Sequence, residues 1–251
     1  MLRKEENGIV WLEFELFAPF PELIHGTFLR HGGVSTGPYA TLDMGERDAT
    51  NAHAWKENQR RVLQILEAEH LASAFQVHGT EIAYVDKATS KQIECDALMT
   101  DKKGLALMSK HSDCQAAIFF DPKKQLLATA HCGWRGNVQN IYSKVLKAMQ
   151  ERWGARAQDI LVGISPSLGP EKAEFIHYKE EFPESFWQFQ EKPNYFNLWS
   201  IARMQLEQAG VLPHHMQIAC VCNHSHPEDF FSYRRDRHVT GNHATLALLQ
   251  R

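Results

Sequence analysis

Apolar residues recur along the chain in two rhythms. Over 51–70, Trp55, Val62, Leu63 and Leu66 fall on one stripe of a 3.6-residue repeat, which predicts a helix. Ile141, Val145, Leu146 and Met149 do the same in NIYSKVLKAMQERWG, with Gly154 as its stop. WSIARMQLEQAG, with Ile201, Met204 and Leu206, predicts a third helix. Shorter apolar runs closed by turn residues predict strands. They are IVWLEFELF (one or two strands), HGTFLR, SAFQVHG, EIAYVD, LALM at 105–108, AAIFFD, LLATAH, DILVGI and MQIACVCNHS. The C-terminal ATLALL reads as a strand or a short helix. The stretch HGGVSTGPYATLDMG has no periodic face and predicts a long loop, whose glycines would let backbone approach a ligand closely. With no linker or repeat, residues 1–251 read as one α/β or α+β domain, its sheet parallel or mixed.

Composition narrows the function classes. Hydrophobic residues make up 43% and charged residues 23%, a balance that supports a sizeable core. A formal net charge of −3 argues against broad nucleic-acid binding. No apolar run approaches the roughly 20 residues needed to span a bilayer. The opening MLRKEENGIVW turns acidic before any apolar segment and does not read as a secretion signal. Five irregularly spaced cysteines suggest free thiols in a reducing cytoplasm rather than a disulfide scaffold. A single sequence leaves the oligomeric state open, with a monomer plausible.

The chemistry concentrates at strand ends. His78 in QVHG, Cys114 in HSDC and His131 in AHCGWRG are strong ligand types, too far apart for a compact zinc finger. Brought together by a sheet, a thiolate and two imidazoles would suit zinc or another borderline metal, with a fourth position open. Two alternatives stand beside this. Cys114 and His131 could form a nucleophile–base pair without metal, or the cysteine and histidines could be buried structural groups. Cys132 neighbours His131, but adjacent strand residues point to opposite faces, so only one can face a site. His111 and Asp113 are close enough in sequence to tune either arrangement. Arg135 could hold phosphate or carboxylate near the start of the helix from Asn137 onward, or form a structural salt bridge. Arg30, and the cluster Arg234, Arg235 and Arg237, could complete an anion site. Cys220, Cys222, His224 and His226 form a weaker candidate for a second metal.

Together these motifs resemble the YfiH/LACC1 family, the laccase-domain proteins. The resemblance rests on HGTFLRHGGVSTGPYATLDMG, FQVHG, CDALMT, SDC, AHCGWRG, VGISPSLGP and FFSYRRD–TG, and spans roughly residues 20–245. It implies an α/β/β/α sandwich, similar to that of cysteine hydrolases with a Cys–His pair. It also implies a zinc site at His78, Cys114 and His131. Arg30 and Arg135 match basic positions of the family motifs. Family members look like purine nucleoside phosphorylases acting on adenosine, inosine, guanosine or methylthioadenosine, with adenosine deamination as a second reaction. Some bacterial relatives resemble zinc amidases that edit a UDP-linked peptidoglycan precursor. The sequence departs from the family pattern at Cys132, usually alanine, at His111, usually a small polar residue, and at TGNH (240–243), usually TGR.

The expectation is therefore a zinc-dependent enzyme binding a nucleoside and phosphate, with His78, Cys114, His131, Arg135 and Asp113 at its centre. A multicopper oxidase is disfavoured, because the only H-x-H pair is His224–His226. A metal-stabilised interaction domain is the non-enzymatic alternative.

Overall fold

A computed structural model describes residues 1–46, 51–89, 93–237 and 239–250. The chain runs β1 (Leu2–Glu6), β2 (Ile9–Glu13), β3 (Leu23–Phe28), α1 (Ala52–Ile65), β4 (His70–Phe75), β5 (Ile82–Tyr84), β6 (Ile93–Glu94), β7 (Ala97–Thr100), β8 (Leu105–His111), β9 (Gln115–Asp121) and β10 (Leu126–Cys132). It continues through α2 (Trp134–Val138), α3 (Ile141–Trp153), β11 (Leu161–Ile164), α4 (Tyr178–Glu181), the small hairpin β12 (Gln190–Lys192) and β13 (Tyr195–Phe196), α5 (Leu198–Gln208), β14 (Met216–Ile218) and β15 (His243–Leu249).

Two mixed sheets result. One has the order β1-β2-β3-β15-β8-β4-β6, the other β14-β11-β9-β10-β7-β5. Most pairings are antiparallel. The parallel ones join β4 to β8 and β6, β5 to β7, and β11 to β14.

Strand alternation sorts the apolar side chains into layers. On β8, Ala106 and Met108 face α1, where Val62 and Leu66 meet them. Leu105 and Leu107 face the other way, toward Ile118, Phe120 and Leu127 of the second sheet. That sheet's remaining face, Ala117, Phe119, Ala128 and Ala130, lies under Ile141, Val145 and Met149 of α3 and Ala202 and Leu206 of α5. The order is helix, sheet, sheet, helix, the α/β/β/α sandwich. Strands covered on both faces must be apolar throughout, which is why β8, β9 and β10 read as unbroken hydrophobic runs.

Several expectations need correction. The helix expected over 51–70 ends at Ile65. Glu67 takes φ +52°, and Ala68 N–H donates to Leu63 O at 2.9 Å, closing a Schellman-like turn without the usual glycine. The run 9–17 is one strand followed by a short 3-10 turn, Glu15–Phe17. The run 216–225 stays extended only to Ile218, and the C-terminal segment is a strand. The charged edge strand β1 and the short β7 carry too little periodicity to stand out in sequence. In the 31–45 loop, Gly32 and Gly33 approach the protein's own backbone at Gly8 and Thr41. No helix among the described residues is long and apolar enough to cross a membrane. All five cysteines are free.

The chain passes from the first sheet to the second at β4–β5, β6–β7 and β8–β9. His78, Asp96 and Cys114 sit in those three connections in turn. His131 lies near the end of β10, beside them.

Candidate active site

The crossings bring the three candidate ligands together. One donor atom each from His78, Cys114 and His131 lie within 4.8 Å of one another. Cys114 Sγ is 3.9 Å from His78 Nε2, and the two imidazole rings are 4.8 Å apart, edge to face. His131 is buried, Cys114 half-buried and His78 exposed, so the cluster opens on one side.

Gly133 packs against this cluster. A Cβ there would lie 2.9 Å from His78 Cδ2 and 3.1 Å from Cys114 Sγ. The thiolate–imidazole donor set and its spacing fit a borderline metal with one side left free. Among the described residues no other group of three such side chains converges. In particular Cys220 is exposed, and the Cys222 thiol accepts from Gly169 N at 3.2 Å, so the 220–226 segment assembles no second site.

Asp96, which the sequence reading gave no role, organises the cluster. Its Oδ1 accepts from His131 Nδ1 at 2.8 Å and from His78 N–H at 3.1 Å. Its Oδ2 accepts from Val77 N–H at 3.2 Å and Gly79 N–H at 2.7 Å. Its carbonyl accepts from His131 N–H at 2.7 Å. Three successive amides around His78, which has φ +60°, thus form a nest filled by a carboxylate of the chain itself. The contact on Nδ1 leaves His131 Nε2 for a ligand bond. The only sequence signal was a carboxylate inside an otherwise apolar strand entry, CDALMT.

Without metal, Cys114 and His131 favour each other's charged form. Burial works against the Cys114 thiolate, but His131 and His78 outweigh it and bring the thiol down to about 6. Burial also works against charged His131, but Cys114 and Asp96 raise it to about 9.

The cluster opens into a cavity of about 1790 Å³. Arg135 lines it, exposed, with its guanidinium 4.7 Å from the Trp134 ring and no ion pair among the described residues. The structure corrects its setting. Arg135 lies in the five-residue α2, and the long helix begins only at Ile141, after Asn140 at φ +54°. So short a helix has little dipole to offer an anion. Arg234 and Arg237 also line the cavity, and Arg234 donates to Glu174 O at 2.9 Å. Arg235 is spent on Asp236 and backbone carbonyls.

Arg30 is elsewhere. Its guanidinium donates to Ala40 O and Pro227 O and lies 4.6 Å from the Phe231 ring, clamping the 31–45 loop outside the cavity wall. Asp113, at φ +81°, is tied to Ser232 Oγ and Arg234 N–H through Oδ2, while its buried Oδ1 has no partner. Burial raises its pKa. His111 bonds Thr245 Oγ1 at 2.9 Å, and burial pushes it well below the usual imidazole range. Cys132 points to the opposite strand face, into the core beneath α3, as alternation requires. Asn242 stands on the cavity wall where the family pattern has arginine.

A family model described as multi-copper polyphenol oxidoreductase laccase matches residues 24–250. The chain belongs to this family. The purine nucleoside phosphorylase YlmD of Geobacillus stearothermophilus is 31% identical over 243 residues, covering 89% of each chain. The purine nucleoside phosphorylase PA4543 of Pseudomonas aeruginosa is 30% identical over 230 residues, covering 88% of this chain and 91% of that protein. The crystal structure of the Geobacillus YlmD superposes with a TM-score of 0.88 at 28% identity, over 99% of this chain and 98% of that one. The family description speaks of several coppers. Among the described residues there is one candidate metal group.

Proposed function

We propose that this chain is a zinc-dependent purine nucleoside phosphorylase. The observation that carries the reading is the placement of the His78–Cys114–His131 cluster and the unpaired Arg135 on one cavity wall, in a family whose similar members bear that name. His78, Cys114 and His131 would hold the metal. When bound, it supplies Lewis-acid stabilisation of charge at the reacting centre. Zinc suits two imidazoles and a thiolate better than a cluster of coppers does.

The chain's own groups do the rest. Arg135, with Arg237 also lining the cavity, holds phosphate through charge-assisted hydrogen bonds. Phosphate attacks C1′ of the ribose as the purine leaves. Trp134, Phe175 and Tyr233 give the cavity aromatic surface against which a purine packs. Asp113, on the cavity wall, is the residue from which a proton reaches the departing base. Asp96 keeps His131 in the ligating tautomer. The test is base release from adenosine, inosine, guanosine and methylthioadenosine with and without phosphate, on zinc-loaded and chelated protein. Phosphate-independent release, or full activity after zinc removal, refutes the reading. Ammonia release from adenosine in the same assay decides the deaminase activity.

One observation favours a second reading. Asp96, His131 and Cys114 form a carboxylate–imidazole–thiol series of the kind that activates a nucleophile. This reading expects a metal-free hydrolase that turns over through an acyl-thioester at Cys114 and dies on alkylation. A UDP-linked muropeptide belongs in that assay, since amide hydrolysis is the reaction such a series performs.

A further inference from the structure

Arg135 stands on a helix too short to hold itself in place. Isolated helices shorter than about 12–15 residues are marginal in water, and α2 has five residues with no side-chain cap at Gly133. Its direction must come from neighbouring elements, and with it the direction of Arg135.

Asn137 is where the neighbours take hold. It stands two residues after Arg135, about 200° around a helix of 3.6 residues per turn. Arg135 is accordingly exposed and lines the cavity, while Asn137 is fully buried. Asn137 Nδ2 donates to Gln115 Oε1 at 3.3 Å and to Gly133 O at 3.4 Å. Its backbone carbonyl accepts from Gln205 Nε2 at 2.6 Å. The helix is thus tied to β9 through Gln115 and to α5 through Gln205. Gln115 is itself fixed: its Oε1 accepts from Tyr142 Oη at 2.6 Å, and its Nε2 donates to Leu198 O at 3.2 Å. Gln115 also follows Cys114 directly, so one strand end carries both the thiol and a grip on α2.

Packing alone does not account for Gln205. It is buried on α5 with Ile201, Ala202 and Leu206, a face that lies on apolar core. A hydrophobic side chain would suit that place, and a buried amide there costs free energy unless it bonds. Its bond goes to Asn137, on the back of the helix that carries Arg135.

We propose that Gln115 and Gln205 are positioning residues, which aim Arg135 at phosphate by gripping Asn137. Gln205 lies outside the cavity wall and acts only through α2. The inference rests on the phosphorylase reading above.

The experiment measures initial rates of base release at varied phosphate on zinc-loaded full-length protein, with zinc content determined for each variant. Gln205→Met keeps the side-chain length and suits a helix. It should raise the KM for phosphate about fivefold and leave the nucleoside KM within about twofold, the mark of one displaced binding group. Asn137→Ala should do the same. Tyr142→Phe removes a bond from the same network but no tie to α2, so it should lower the urea midpoint and leave the phosphate KM within about twofold. In an Arg135→Ala background, Gln205→Met should add less than about twofold, because the residue it positions is gone. Effects that multiply in the double variant overturn the proposal. So does a Gln205→Met protein whose two KM values rise alike, or a Tyr142→Phe protein with the same phosphate defect. If Gln205→Met does not fold, Asn137→Ala, alone and with Arg135→Ala, decides by the same criteria. If Arg135→Ala leaves the phosphate KM unchanged, the role given to Arg135 in the phosphorylase reading fails and takes this inference with it. If Arg135→Ala raises it and Gln205→Met does not, only the positioning fails.

Discussion

Replacing Asp96 by Asn should damage the site without touching a ligand atom. The carboxylate accepts four hydrogen bonds, two on each oxygen. Asn keeps one acceptor oxygen and turns the other position into a donor. If the amide oxygen stays on His131 and His78, the Val77 and Gly79 amides face an NH2 group and lose their acceptor. Each buried donor left unpaired costs about 1–3 kcal/mol. Solvent reaches this half-buried turn and offsets part of that, so a loss of about 2–4 kcal/mol in metal-free stability is expected. Flipped the other way, the amide presents NH2 to His131 Nδ1 and favours the tautomer that occupies Nε2 with a proton. Both orientations disorganise the ligands, and zinc affinity should fall about 10–100-fold. The assays are denaturant unfolding of metal-free protein and zinc competition against a chromophoric chelator. Asp96→Asn protein that matches wild type within twofold in zinc affinity would show that the carboxylate does not organise the cluster.

Arg135→Ala should raise the KM for phosphate about tenfold or more with little change in nucleoside KM, read from initial rates at varied phosphate. Cys132→Ala should cost about 1 kcal/mol of stability and leave zinc content and turnover near wild type, because the thiol fills core space beneath α3. Acid should destabilise the fold before its carboxylates titrate. Burial lowers His25 and His243 to about 4, so both are neutral in the fold, while the unfolded chain protonates them near 6.5. Their contribution is complete above about pH 6.5 and is lost as pH falls toward 4, on the order of 3 kcal/mol per imidazole. Urea midpoints that stay flat between those pH values would contradict this.

Two of the three side chains that the fold brings together were legible as candidates because they adjoin strands with long apolar runs: Cys114 just before β9 and His131 near the end of β10. His78 lies three residues beyond β4, in the connection to β5, and was marked by its residue type alone. The layer order needed more than the runs themselves, since a strand buried on both faces shows no alternation to say which residue faces which layer. Asp96 escaped notice for a related reason. Its role depends on the amides of 77–79 and on His131, 35 positions away, and neither contact leaves a local pattern. Arg30 and Arg135 look alike in sequence, each an arginine beside a glycine-containing turn. Only the fold separates the one that clamps a loop from the one that faces the cavity. The helix boundary at Ile65 was hidden because Glu67 takes a conformation usually left to glycine.

The three crossings from the first sheet to the second constrain how this chain can vary in length. Each crossing carries His78, Asp96 or Cys114, and a residue added to any of them would move that group by about 3 Å along the strand direction. Such insertions should abolish metal binding even where the fold survives. The hairpin between β9 and β10 stays within the second sheet and carries none of the proposed site groups. Tags, fusion partners and reporter peptides placed there can lengthen the chain without altering the spacing on which the cluster depends.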